Sequence, residues 1–234
     1  MEIQEGVSGK PGHPLFHVTS MIEITEIKYR ETHIQLTLTT GEVFQVPGNI
    51  TGHLTLKKGL LLDTGMYEYL KDESERFTCR RKALDYLSLR NRTIIELQRL
   101  LKKKDFSEHI ISEIINSLVS SGYIDDYKYA VDYINTRRRK KVIGDSLLKS
   151  ELFRRGVPSK SIDRAIRKSD DTSVEFDTIY NESLKKLARI EHKKNKPAKI
   201  ALFLRQRGFD SSIIRKVIDR MKEEKKLLEE FPEQ

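Results

Sequence analysis

Three short segments of the chain repeat one pattern: Leu101-Lys-Lys-Lys-Asp-Phe106, Leu152-Phe-Arg-Arg-Gly-Val157 and Leu204-Arg-Gln-Arg-Gly-Phe209. Their final apolar residues stand 51 and then 52 positions apart, and the surrounding residues keep the same register. Nine positions before each anchor come Leu97, Leu148 and Ile200. Five after come Ile111, Ile162 and Ile214, and nine after come Ile115, Ile166 and Ile218. A fixed period of about 50 residues marks one helical unit copied three times. Such arrays offer a long binding surface and a poor setting for a single active site.

Charge says what that surface meets. Residues 1–70 hold 5 Lys/Arg against 8 Asp/Glu, so the excess of +9 in the full chain comes wholly from the repeats. A concentrated positive field favours a polyanion or an acidic protein surface. Trp is absent and 34% of residues are charged, which suits thin helical modules better than one thick core. The lone Cys79 forms no internal disulfide and fits a reducing compartment. No apolar run approaches the roughly 20 residues of a membrane span, and Met1-Glu-Ile-Gln-Glu-Gly6 does not read as a signal peptide. A cytoplasmic protein with no membrane contact is expected.

The organisation follows from periodicity. Residues 1–20 lack it and read as a disordered tail. Residues 21–70 read as a small β-rich domain: Ile34, Leu36 and Leu38 alternate, Thr39-Thr-Gly-Glu42 is a turn, and Leu54–Leu70 covers the apolar face. Beyond Asp72 the chain reads as helix throughout, with three-helix repeats over 71–122, 123–172 and 173–234, the last including a C-terminal tail. The fold class expected is mainly α: three tandem three-helix repeats in an elongated array, preceded by a small antiparallel β domain. Thr93-Ile-Ile-Glu96 has the form of a capping box. Gly156 and Gly208 stand where a helix ends in a left-handed residue, with Asp105 in that place in the first repeat. Ser107, Ser159 and Asp210 are the expected caps of the helices that follow.

No catalytic residue and no cofactor or metal site emerges. Gly6-Val-Ser-Gly-Lys10 lacks the spacing of a phosphate-binding loop. His13 and His17 flank Pro14 in the tail, and Cys79 has no histidine near it in sequence. Two features carry functional weight. The run Arg137, Arg138, Arg139, Lys140 and Lys141 exceeds what a helix dipole needs at its C-terminus, which favours an anionic partner. Lys185, Lys186, Arg189, Lys193 and Lys194 form a related cluster. Between the first two repeats, Gly122 ends one helix, Asp125 or Asp126 caps the next, and Tyr127 and Tyr129 follow in a packed inter-repeat joint.

Gly122-Tyr-Ile-Asp-Asp-Tyr-Lys-Tyr-Ala130 resembles the junction signature of the RecX family, bacterial modulators of the RecA recombinase. Ala83–Leu97 is similar to that family's opening repeat, and Glu151-Leu-Phe-Arg-Arg-Gly-Val157 to its Glu-Leu…Gly turn. The likeness spans about residues 75–220. Asp105 departs from the usual turn glycine, and Glu191-His-Lys-Lys-Asn-Lys196 from a shorter connection. The resemblance implies a non-enzymatic monomer that lies along the RecA–single-stranded-DNA filament and bridges its subunits. There it would hinder incoming DNA, slow ATP turnover and strand exchange, and promote disassembly. The partners implied are the RecA filament and single-stranded DNA, with double-stranded DNA as a further polyanion. The competing expectation is a general DNA-binding helical-repeat protein that acts without a recombinase.

Overall fold

A computed structural model describes residues 22–52, 55–169, 175–190 and 195–224. The tail over 1–20, Leu54, Lys193 and Lys194 lie outside the described residues. The chain divides into two compact units between Thr78 and Cys79.

The first unit is built on four antiparallel strands, β1 (Ile22–Tyr29), β2 (His33–Leu38), β3 (Val43–Pro47) and β4 (Leu61–Leu62), in the order β3-β2-β1-β4. Period-two alternation sends Ile34, Leu36 and Leu38 of β2 and Phe44 and Val46 of β3 to one buried face. Gly41, at φ +85°, makes the tight turn between these strands. The apolar face is closed by Leu56, Leu62 and Leu70.

Helix α1 (Thr64–Leu89) begins before Asp72, earlier than periodicity predicts. The Asp63 carboxylate accepts the Met66 amide at 2.7 Å and so starts the helix. The adjacent run Leu60-Leu61-Leu62 masks this cap in the sequence, since Leu61 and Leu62 pair with β1 instead of joining the helix.

The second unit takes up the end of α1 from Cys79 and then α2 (Ile94–Lys102), α3 (Glu108–Ser120), α4 (Asp126–Lys140), α5 (Asp145–Arg154), α6 (Ser159–Lys168), α7 (Phe176–Ala188), α8 (Lys196–Gln206) and α9 (Ser211–Glu223). Among the described residues these helices fall into three trios, each with its own apolar cluster. The registers read from sequence supply the buried residues: Leu97, Leu101 and Ile111; Leu148, Leu152 and Ile162; Ile200, Leu204 and Ile214. Burying such a side chain contributes roughly 1.5–3 kcal/mol, so helices of 9–13 residues such as α2 and α3 are held by packing more than by propensity. Cys79 is fully buried in the first cluster.

The turn between helices two and three of each trio is left-handed at Asp105 (φ 60°), Gly156 (φ 84°) and Gly208 (φ 84°). In the second trio the Val157 amide donates to the Leu152 carbonyl at 3.2 Å and the Gly156 amide to Phe153 at 2.9 Å. Phe209 and Gly208 repeat the pair on Leu204 and Arg205. These bonds satisfy carbonyls that a helix end would leave bare.

Two local readings are revised. Thr93 caps α2 by accepting the Glu96 amide, but the Glu96 carboxylate bonds to Arg90 and Arg155, whose charge is a stronger attraction than a neutral amide. The cap position of α6 belongs to Pro158, with Ser159 as the first helical residue, because the ring fixes the extended entry that a cap requires.

Candidate nucleic-acid and partner interface

The inter-repeat joint is built from backbone approach first and side chains second. Helix two of one repeat sets its N-terminus against the helix-two-to-three turn of the next. Thr93 donates its hydroxyl to the Arg155 carbonyl at 2.6 Å while still capping α2. One repeat on, the Gly144 amide donates to the Arg207 carbonyl at 2.8 Å and the Ser146 amide to Gly208 at 3.2 Å. Thr93 and Gly144, and Arg155 and Arg207, are separated by the repeat period, so one joint is used twice.

The approach is close enough to require glycine for space as well as for φ. A Cβ at Gly156 would lie 2.5 Å from the Ile95 Cβ, and one at Gly208 2.3 Å from the Leu147 backbone nitrogen. Asp105, exposed, occupies the same turn position in the first repeat of the unit, where no earlier repeat packs on it. That accounts for the missing glycine.

Each expected junction residue is placed. Gly122 ends α3 at φ 75°, and Asp125 caps α4 by accepting the Tyr127 and Lys128 amides at 2.9 and 3.0 Å. Asp126 crosses to the first repeat and accepts the Ile94 amide at 3.0 Å. Burial pushes its carboxyl above the ordinary value, the Ile94 amide pulls it back, and the Asp125 and Glu96 charges add to the rise. Tyr127 lies under the Arg164 guanidinium, 4.1 Å from its ring centroid. Tyr129 stacks on Tyr133 and contacts Arg155, which also pairs with Glu96 at 3.2 Å.

The basic run divides in two. Arg137 makes a two-pronged bond to Glu151, Nε to Oε2 at 2.9 Å and Nη2 to Oε1 at 2.6 Å, and Tyr133 donates to the same carboxylate. Arg138 reaches Asp145 at 2.7 Å and the Ser169 carbonyl, with a side chain only 5% exposed. These two arginines hold α4 to α5 and to the end of α6, so their reach toward an external anion is spent inside the repeat. Arg139, Lys140 and Lys141 are exposed. In the third repeat Lys185 pairs with Glu182 at 2.8 Å, while Lys186 and Arg189 project from the last turn of α7 and its cap.

Sequence reasoning missed Thr93, Glu96 and Arg155 as joint residues and Glu151 as the partner of Arg137. The one local signal was the Glu151-Leu-Phe-Arg-Arg155 segment itself, which puts an acid and two cations beside a turn. Among the described residues no helix is long and apolar enough to cross a membrane.

Comparison with known proteins agrees with this layout. Residues 79–118 match the family model for the first three-helix domain of RecX. The chain is 32% identical over 197 residues to the regulatory protein RecX of Bacillus licheniformis, covering 82% of this chain and 73% of that one. It is 28% identical over 158 residues to the regulatory protein RecX of Chlorobium limicola, covering 67% of this chain and 94% of its relative. A crystal structure of a regulatory protein RecX superposes with a TM-score of 0.68 at 23% identity, covering 85% of this chain and 100% of the other. The crystal structure of RecX from Lactobacillus salivarius gives 0.58 at 29% identity, covering 63% and 97%.

Proposed function

The chain belongs to the RecX family of regulatory proteins, and from that premise we propose that it binds the RecA–single-stranded-DNA filament and lowers its ATPase and strand-exchange activity. The observation that carries the reading is the repeated joint. Because each repeat is locked to the next by hydrogen bonds to the backbone of its turn, exposed cations on separate repeats are held at fixed spacing. A protein that must meet a periodic partner at several places needs that spacing set before binding, since ordering it on contact would cost affinity.

The division of labour follows. Arg139 and Lys140 in the last turn of the second repeat's first helix with Lys141 at its cap, and Lys186 and Arg189 in the third repeat, meet phosphates or acidic filament surface. Lys185, half-neutralised by Glu182, contributes less. Gly122, Asp125, Asp126, Tyr127 and Tyr129 set the angle between the first two repeats. Arg137 and Arg138 support the cation cluster from within.

Co-sedimentation with preformed recombinase filaments tests this. The chain should pellet with filaments on single-stranded DNA at concentrations where naked DNA of equal length leaves it in solution. Equal pelleting with both would favour the rival, a DNA-binding protein indifferent to the recombinase.

A further inference from the structure

We propose that the groove between α7 and α8 in the third repeat is a nucleotide site, in which a base of a single-stranded nucleic acid stacks on Phe203 and its phosphate sits among Lys186, Arg189 and Lys199. It deepens the reading above, resting on the same polyanion partner.

The groove holds about 350 Å³ and is lined by Lys186, Arg189, Ile190, Lys199, Leu202, Phe203 and Gln206. None of these is acidic. Among the described residues no carboxylate pairs with Lys186, Arg189 or Lys199. Glu182, the acid whose carboxyl feels Arg189, is already bound by Lys185. Cations around a floor of half-buried Phe203 and exposed Leu202 make the arrangement that single-stranded nucleic acids use, because every base has a π-face and every linkage a charge. Arg207 lies 4.6 Å from the Phe203 ring centroid and is anchored by the Val142 carbonyl at 2.9 Å. The Lys186 ammonium, at 5.9 Å, stands at the outer limit of a cation–ring contact and is free to turn to a phosphate.

Comparison of the repeats shows what distinguishes this one. Seven residues after the buried Ala83, Ala130 and Ile179 stand Arg90, Arg137 and Lys186. Three after the buried Leu97, Leu148 and Ile200 stand Leu100, Glu151 and Phe203. In the second repeat Glu151 takes the position of the floor and binds Arg137, so a carboxylate stands where the third repeat has its ring. In the first, a groove of about 380 Å³ persists over Leu100, but Glu96 sits in it and pairs with Arg90 at 3.0 Å. The matching residue in the third repeat is Lys199, so a negative group there becomes a positive one. Among the described residues, only this copy sets an aromatic floor beside cations that no carboxylate pairs with.

The test measures anisotropy of a labelled oligothymidylate and of an abasic strand of equal length, on the full chain across a salt series. Wild type should bind the oligothymidylate more tightly than the abasic strand. Phe203→Leu, which restores the first repeat's residue, should weaken oligothymidylate binding about tenfold, abolish that preference and leave the salt slope unchanged. Lys186→Gln with Lys199→Gln should weaken both strands and flatten the slope by about 1.4, about 0.7 for each lost contact. Wild-type affinity and slope in these variants would overturn the site. The lysine double variant, on the surface, decides the matter if Phe203→Leu melts early. Loss of filament binding with oligonucleotide binding intact would assign the groove to an acidic protein surface, also against the proposal. If wild type leaves the recombinase unaffected while the strand preference depends on Phe203, the filament reading fails and the groove stands.

Discussion

The Thr93 hydroxyl donates to the Arg155 carbonyl at 2.6 Å across a gap of 62 residues in sequence, while its oxygen accepts the Glu96 amide at 3.1 Å. One fully buried side chain thus ends the loop before α2 and fixes the next repeat's turn against it. Thr93→Val removes both bonds at constant shape. A lost cap costs about 1 kcal/mol, and a part-buried carbonyl left without a donor about 1–3 more. Urea denaturation should therefore give a loss of about 2–4 kcal/mol, against less than about 1 for Thr93→Ser, which keeps the hydroxyl. Equal losses would remove the hydroxyl from the joint.

The turn glycines make a paired prediction. Gly156→Ala must accept both an unfavourable φ and a 2.5 Å approach to Ile95, so a loss above about 2 kcal/mol is expected. Gly156→Val should be worse. Adding Ile95→Ala should recover part of the Gly156→Ala loss if crowding contributes, and none if φ alone is responsible. Asp105→Gly, at the exposed first turn, should change stability by less than about 1 kcal/mol. Melting and denaturant midpoints across the set check this.

Two carboxylates, Asp126 buried and Glu151 half-buried, titrate in opposite senses. Burial pushes Glu151 up, but the Arg137 and Tyr133 hydrogen bonds together with the Arg137 and Arg154 charges more than offset it, and its folded pKa lies below the ordinary 4.5. Its contribution is present above 4.5 and is lost as pH falls through the lower folded value. Asp126, with its pKa raised above 3.8, contributes stability that is full below 3.8 and lost as pH rises through the folded value. Glu151→Gln should destabilise at pH 7 by about 1.5–3 kcal/mol, with the gap closing in acid. Asp126→Asn keeps an acceptor for the Ile94 amide and should be at least as stable as wild type at pH 7. Denaturant titrations at pH 7 and pH 3 measure both.

The cation run separates by role. Arg139, Lys140 and Lys141 changed together to Ala should weaken filament binding with little change in melting temperature. Arg137→Ala should lower the melting temperature, because Glu151 is left with its charge partly buried. A triple variant that binds filaments like wild type would take these cations out of the interface.

Local chemistry foretold the features that local chemistry governs. The left-handed turns at Asp105, Gly156 and Gly208 and the caps Thr93, Asp125 and Asp210 depend on residues within a few positions of one another, and the 51- and 52-residue spacings are that local pattern repeated. The joint does not: Gly156 meets Ile95 and Asp126 meets Ile94 only once the repeats are stacked. The same holds for the Arg137–Glu151 bond, which turns an apparently free cation into an internal brace. The Phe203 floor reads in sequence as one more apolar residue of α8, and becomes distinctive only beside Leu100 and Glu151.

Strand exchange by the host's recombinase, titrated with this protein, tests the central claim most directly. The account predicts inhibition at amounts far below one protein per DNA site, where filament binding can act but DNA coating cannot. Inhibition that begins only as the DNA becomes saturated, or none at all, would contradict it.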